Sequence, residues 1–178
     1  RVTGGEIEGQ TETGITTSAN LVMSGGHVNG KTNGINTTGT TQITGGVVEG
    51  EQYGVYTTGT TTLGENEGKI SIDSPILKGE LYGLYIAEGT LNFYDGILKG
   101  QTYSYYGTVT NIPARSEIIY DKETIDGNLY HTAYLLTETV IAQNLNTKEY
   151  YTNLQDAFDG VKEGETIFHI ARKYSLPP

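Results

Sequence analysis

The sequence predicts a mainly β fold: a right-handed parallel β-helix (solenoid) of about five rungs over 1–112, then a small α+β segment over 113–178. Three observations predict it. A glycine closes an eight-residue block at 9, 30, 50, 79 and 100, in steps of 21, 20, 29 and 21. A second block follows each glycine: TGITT at 13–17, NGINT at 33–37, YGVYT at 53–57, YGLYI at 82–86 and YSYYG at 103–107. The chain is also rich in Thr (27), Gly (25) and Tyr (14), a composition that favours strands with sharp corners. A repeat of roughly 20 to 50 residues marks an architecture of stacked units.

Stacked on the closing glycine, the copies form columns. Two residues before it stand Ile7, Val28, Val48, Leu77 and Leu98; seven before it stand Val2, Met23, Ile43, Ile72 and Phe93. In the second block, Ile15, Ile35, Val55, Leu84 and Tyr105 align. The neighbouring positions are polar or amphipathic: Glu8, Asn29, Glu49, Lys78 and Lys99 in one column, Thr16, Asn36, Tyr56, Tyr85 and Tyr106 in another. This is the two-residue alternation of strand faces. One rung cannot bury its inner face alone, whereas stacked rungs share a continuous core. Parallel connections of this kind are right-handed as a rule. The long step carries an insertion, LGENEGK at 63–69. Glu49 and Lys78 are expected to pair across rungs on the exposed side, worth about 0–1 kcal/mol.

After Pro113 the repeats stop. SEIIYDKETIDGNLYHTAYLLTETVIAQNL reads as strands, with Asp126-Gly127 as a tight turn and Asn146–Glu149 turning a second hairpin. TNLQDAFDGVKEG predicts a short helix: Thr152 and Gln155 fit a capping box, Leu154, Ala157, Phe158 and Val161 share a face, and Gly164 stops it. The spacing of Ile167, Ile170, Ala171 and Tyr174 predicts a further helix at 167–174. The whole segment suits a cap over the solenoid end or a junction to a next domain.

Net charge is −10, with 11 acidic and 5 basic side chains in 1–112 and 10 and 6 in 113–178. Without a basic stripe, neither nucleic acid nor an anionic membrane surface is an expected partner. No apolar run is long enough to span a bilayer, so membrane insertion is not expected. The absence of cysteine excludes disulfides and thiolate metal sites and leaves the redox compartment open. The chain opens inside a repeat at Arg1, which predicts a piece of a longer chain.

The stretch TLGENEGKISIDSPILKGELYGLYIAEGTLNFYDGILKGQTYSYYGTV, 62–109, resembles the repeats of large surface proteins of Firmicutes and related gut bacteria. Ser74-Pro75, Gly79, Tyr82-Gly83 and Phe93–Gly100 match that pattern, with Leu98 where Ile is usual. The resemblance covers 40–110 well and 1–40 loosely, and continues at 125–136 and 150–167. It implies an extracellular, cell-surface or wall-associated adhesin-like protein, and a strand rather than a helix after GETI at 164–167. A second resemblance lies at 161–178: Gly164–Ile167 and Ile170–Tyr174 are similar to the opening of a LysM module, which implies peptidoglycan or chitin binding. It covers under half of such a module.

Candidate chemistry is sparse. Some β-helix proteins cleave polysaccharides, which needs paired carboxylates roughly 5–9 Å apart. Asp73 and Asp95, 22 residues apart, are the nearest candidates, but Asp95 in YDG reads more simply as a turn residue. His27, His131 and His169 stand isolated, and GENEG at 64–68 lacks the dense Asp pattern of calcium-binding rolls. No catalytic residue, metal site or cofactor is expected. The sharper signal is aromatic. Tyr56, Tyr85 and Tyr106 should form an outward ladder, with Tyr53, Tyr82 and Tyr103 beside it near a corner. Tyrosine offers a flat apolar face with a polar tip, suited to a glycan, peptidoglycan or a host surface protein. The same ladder also stabilises a sheet with no ligand at all. The expected function is therefore a stiff, non-catalytic spacer, with the tyrosine face as the surface for any binding of glycan or host protein.

Overall fold

The computed structural model describes residues 1–66, 70, 74–137, 142–147, 149–151 and 154–169. The chain divides into two compact units, Arg1–Leu136 and Thr137–Pro178.

The first unit is a parallel β-solenoid. Its early strands are β1 (Val2–Gly9), β2 (Thr13–Thr17), β3 (Leu21–Gly30), β4 (Asn33–Thr37), β5 (Thr41–Gly50) and β6 (Tyr53–Thr57). β7 (Thr61–Leu63), β8 (Ile76–Gly79), β9 (Tyr82–Ile86), β10 (Leu91–Phe93), β11 (Ile97–Gly100), β12 (Tyr103–Tyr106) and β13 (Val109–Asn111) continue the coil. One sheet runs β2-β4-β6-β9-β12. The other wraps the remaining sides through β1-β3-β5, where β5 meets β7 with its first half and β8 with its second. In β3 the ladder shifts register between Met23 and His27, and Gly26 has φ +91°, so one ten-residue strand turns a corner.

Register follows the sequence columns: Val28 pairs with Val48, Val48 with Leu77 and Leu77 with Leu98, while Ile35, Val55 and Leu84 align in the other sheet. All of these are fully buried, each worth about 1.5–3 kcal/mol relative to exposure. One column differs from expectation. Ile43 pairs with Leu63, and Leu63 with Phe93, so Leu63 holds the place assigned to Ile72, which lies outside the described residues. The reason is where the insertion falls. It follows β7, between the two half-strands of its rung, so the first half-strand, with Leu63, is complete before the extra chain begins.

The closing glycines are required by close approach. A Cβ on Gly50, Gly79 or Gly100 would lie 2.1, 2.2 and 2.0 Å from the carbonyl oxygen three residues on. The second glycine column is needed for stacking: a Cβ on Gly83 would lie 2.6 Å from Lys99 N of the following rung. Ser104 stands in this column on β12, the edge strand of its sheet, where no later parallel rung crowds it. At the third corner the chain turns on threonine hydroxyls. Thr17, Thr37 and Thr57 Oγ1 accept from the amides of Ala19, Gly39 and Gly59 at 3.0, 3.1 and 2.9 Å.

A hairpin ends the solenoid. β14 (Ser116–Ile125) and β15 (Asn128–Thr137) are joined by the expected Asp126-Gly127 turn, both with positive φ. β15 pairs antiparallel with β11, Leu98 opposite Ala133 and Gly100 opposite His131. Ala133 and Leu135 enter the solenoid core.

The second unit holds β16 (Ala142–Asn144), β17 (Tyr150–Tyr151), α1 (Leu154–Gly160) and β18 (Ile167–His169), the strands in antiparallel order β17-β16-β18. Asn144 Oδ1 accepts from the amides of Asn146 and Thr147, forming the expected turn. The helix ends at Gly160 rather than Gly164, and of its expected apolar face Ala157 alone is buried, with Phe158 60% exposed. Thr152 of the capping box lies outside the described residues. Ile167–His169 is a strand and not the start of a helix, because its backbone pairs with β16. Residues 170–174 lie outside the described residues.

Candidate functional site

Two tyrosine columns stand on one face because tyrosines occupy register-matched positions in β6, β9 and β12. Tyr53 pairs with Tyr82 and Tyr82 with Tyr103; Tyr56 pairs with Tyr85 and Tyr85 with Tyr106. Tyr56 and Tyr85 are nearly parallel, centroids 5.5 Å apart at 6°, and Tyr85 and Tyr106 lie 4.8 Å apart at 13°. Tyr53, Tyr82 and Tyr103 step at 6.0 and 6.2 Å. The columns interlock: Tyr82 meets Tyr85 edge-on at 5.3 Å, and Tyr53 meets Tyr85 at 5.1 Å. Each such pair adds about 0.5–1.5 kcal/mol beyond area burial.

Tyr53, Tyr56, Tyr82 and Tyr85 are half-buried by one another, whereas Tyr103 and Tyr106 are 61% and 52% exposed. Desolvation, then the hydroxyls of Tyr106, Tyr53, Tyr56 and Tyr82, pushes the Tyr85 phenol above its ordinary 10.0. It stays neutral at physiological pH.

The ladder runs into a cleft of about 620 Å³ between β12 and the hairpin. Tyr103 and Tyr106 line one side; Tyr120, Asp121 and His131 line the other. Tyr105, the hydroxyl-bearing member of an otherwise apolar column, stacks on Tyr120 at 6.3 Å with the two hydroxyls 2.7 Å apart. Burial, then this hydrogen bond, raises the Tyr105 phenol well above the usual tyrosine range. Sequence reasoning missed Tyr120, Asp121 and His131 as site residues. Their strands were legible, but nothing local indicated that β15 would seat on β11. His131 is not isolated, since its ring lies 6.1 Å from Tyr103.

On the second sheet, Glu49 stands between an ammonium and an imidazole. Its Oε1 is 3.0 Å from Lys78 Nζ, and its Oε2 is 2.8 Å from His27 Nε2. His27 is therefore also not isolated. The pair is half-buried rather than exposed, each side chain 29% accessible. Burial works to raise the Glu49 carboxyl, but Lys78 and His27 together outweigh it and hold it below its ordinary 4.5. Lys78 also lies 5.7 Å from the Tyr130 ring centroid, and Lys99 Nζ meets Glu123 at 2.6 Å.

Asp95 behaves as the turn residue its sequence context suggests: it is buried at 8%, and its Oδ1 accepts from Gly96 N at 2.8 Å. Asp73 lies outside the described residues, as does part of GENEG.

The fold and the face define a parallel β-solenoid with an interlocked tyrosine ladder ending in a polar cleft. No family model, no curated protein and no solved structure matches the chain.

Proposed function

We propose that the chain is a non-catalytic module of a bacterial cell-surface protein, a stiff spacer that binds glycan or a surface protein through its tyrosine face. The observation that carries this reading is the gathering of Tyr53, Tyr56, Tyr82, Tyr85, Tyr103 and Tyr106 on one face. Amphipathic rings held on rigid strands offer contact area at little entropic cost. The spacer role is supported by the one-dimensional packing, in which each rung contacts its neighbours at about 4.8 Å per rung. The surface location rests on the repeat resemblance of 62–109.

The test is a screen of immobilised glycans, peptidoglycan and host surface proteins with residues 1–178, beside a Tyr56/Tyr85/Tyr106→Ala variant shown to be folded. Binding by the parent that is lost in the variant is expected. No binding by either, or equal binding by both, overturns the tyrosine-face reading.

A further inference from the structure

Within the ladder, the rings cover one another. Tyr85 has Tyr56 on one side and Tyr106 on the other, both nearly parallel to it, so its two faces are occupied. Tyr82 is likewise held between Tyr53 and Tyr103. A sugar ring that stacks its C–H face on an aromatic ring needs an open face, and the inner rings do not offer one. The ladder ends at Tyr106. Tyr85 packs against it on one side, Tyr82 meets it edge-on at 6.3 Å, and no further ring packs on it among the described residues. It is half exposed and lines the terminal cleft.

The cleft has the other features of a small-ligand site. Its volume, about 620 Å³, falls in the range of roughly 300–1,000 Å³ typical of such pockets. Beyond the last ring of the ladder it is bounded by Tyr120, Asp121, His131 and Thr132 of the hairpin, so a glycan laid along the rungs meets these residues as its end reaches the cleft. Glu88 and Asp121 line it together with the imidazole of His131, and its lining contains no Lys or Arg. Carboxylates accept paired hydrogen bonds from sugar hydroxyls, while a carboxylated or sulfated sugar would meet like charge with no cation to answer it.

From this we infer that the cleft between Tyr106 and the Tyr120–Asp121 edge of the hairpin binds one terminal, uncharged pyranose of a glycan, stacked on the open face of Tyr106. The inference rests on the glycan-binding reading above and narrows it from a face to an end-on pocket. Recognition is then of a chain end, and the inner tyrosines act as the rigid support that fixes Tyr106.

The test uses residues 1–178 and ligand-detected saturation-transfer NMR. The probes are the methyl glycosides of glucose, galactose and N-acetylglucosamine, the β-1,4-linked tetrasaccharides of glucose and N-acetylglucosamine, and methyl glucuronide. At least one neutral methyl glycoside should bind, its tetrasaccharide should bind no more than about three-fold tighter, and the glucuronide should not bind. Tyr106→Ala should weaken binding at least ten-fold. Ala87→Trp, which fills the exposed rim of the cleft and keeps every tyrosine, should do the same. Tyr56→Ala, which leaves Tyr106 and the cleft lining in place, should weaken binding distinctly less than Tyr106→Ala does, with circular dichroism confirming the fold of each variant. Binding that grows steeply with chain length, or falls as much in Tyr56→Ala as in Tyr106→Ala, overturns the end-pocket inference and leaves the tyrosine-face reading standing. Glycan binding untouched by any of these variants sinks both, as does the absence of binding to every probe here and in the wider screen.

Discussion

Lys78 and Glu49, 29 residues apart in sequence, face each other on adjacent rungs with Lys78 Nζ 3.0 Å from Glu49 Oε1. The pair links β5 to β8 across the insertion. The Glu49 carboxyl is held below its ordinary value in the fold, so its contribution is full above about pH 5 and is lost as pH falls through the lowered value. The Lys78 ammonium has the opposite sense: burial opposes its charge, Glu49 outweighs that and raises it, and its contribution fades only above its ordinary 10.5. Glu49→Gln should cost about 1 kcal/mol at pH 7 and distinctly less at pH 3. Urea unfolding at the two pH values measures this. An equal cost at both would show that the charge is irrelevant.

The glycine corners make a sharper prediction. Gly79→Ala should destabilise by roughly 2 kcal/mol or more, because its Cβ would meet Tyr82 O at 2.2 Å and Gln52 O at 2.6 Å, both backbone atoms that cannot yield. Gly4→Ala meets nothing within 4 Å and should stay within about 0.5 kcal/mol of the parent. Thermal melts of the two variants separate steric necessity from a general preference for glycine.

Phe93 is the largest fully buried side chain among the described residues, at the end of the Ile43–Leu63–Phe93 column. Phe93→Ala should cost about 3–5 kcal/mol by lost burial and an unfilled cavity. Phe158→Ala, on the exposed face of α1, should cost under about 0.5 kcal/mol. Comparable losses from the two would contradict the burial of one and the exposure of the other.

Tyr120→Phe removes the hydroxyl that Tyr105 contacts at 2.7 Å. The Tyr105 phenol should then titrate lower than in the parent, though burial still keeps it above the ordinary value of 10.0. Because the fold favours the neutral phenol, its contribution is intact below about pH 10 and is lost as pH rises through the raised value. Ultraviolet difference titration reads the shift, and an unchanged curve would mean that the hydrogen bond has no hold on the phenol. At neutral pH the loss in stability should be about 0.5–1 kcal/mol.

Much of the fold was legible because stacking makes sequence periodicity and spatial adjacency the same thing. The glycine steps alone place Val28 beside Val48 and Tyr56 beside Tyr85. The exceptions occur where periodicity is interrupted. Ile72 looked like the core residue of its rung by counting back from Gly79, but the insertion begins after Leu63, and counting forward from β6 finds the right partner. In the C-terminal unit, Ile167 and Ile170 fit a helical spacing, yet tertiary pairing with β16 makes Ile167–His169 a strand. A stretch of three residues carries too little local preference to resist that pairing.

The site was half legible. Its ladder follows from register, so Tyr53, Tyr56, Tyr82, Tyr85, Tyr103 and Tyr106 were brought together as expected. Its far wall depends on an antiparallel contact between β11 and β15, some 30 residues apart with no repeat to set their alignment. Tyr120 and His131 therefore gave no sign in the sequence of standing near Tyr105 and Tyr103.

The matched registers also bear on how such a chain can vary over generations. Asn33 lies over Tyr53, Ile35 over Val55 and Thr37 over Thr57. A deletion of 31–50, or a duplication of it, would keep the columns Ile15–Ile35–Val55 and Val28–Val48–Leu77 apolar and the closing glycines in line. Unequal recombination within the gene can thus lengthen or shorten the protein by whole rungs, about 4.8 Å at a time, while leaving the terminal cleft untouched.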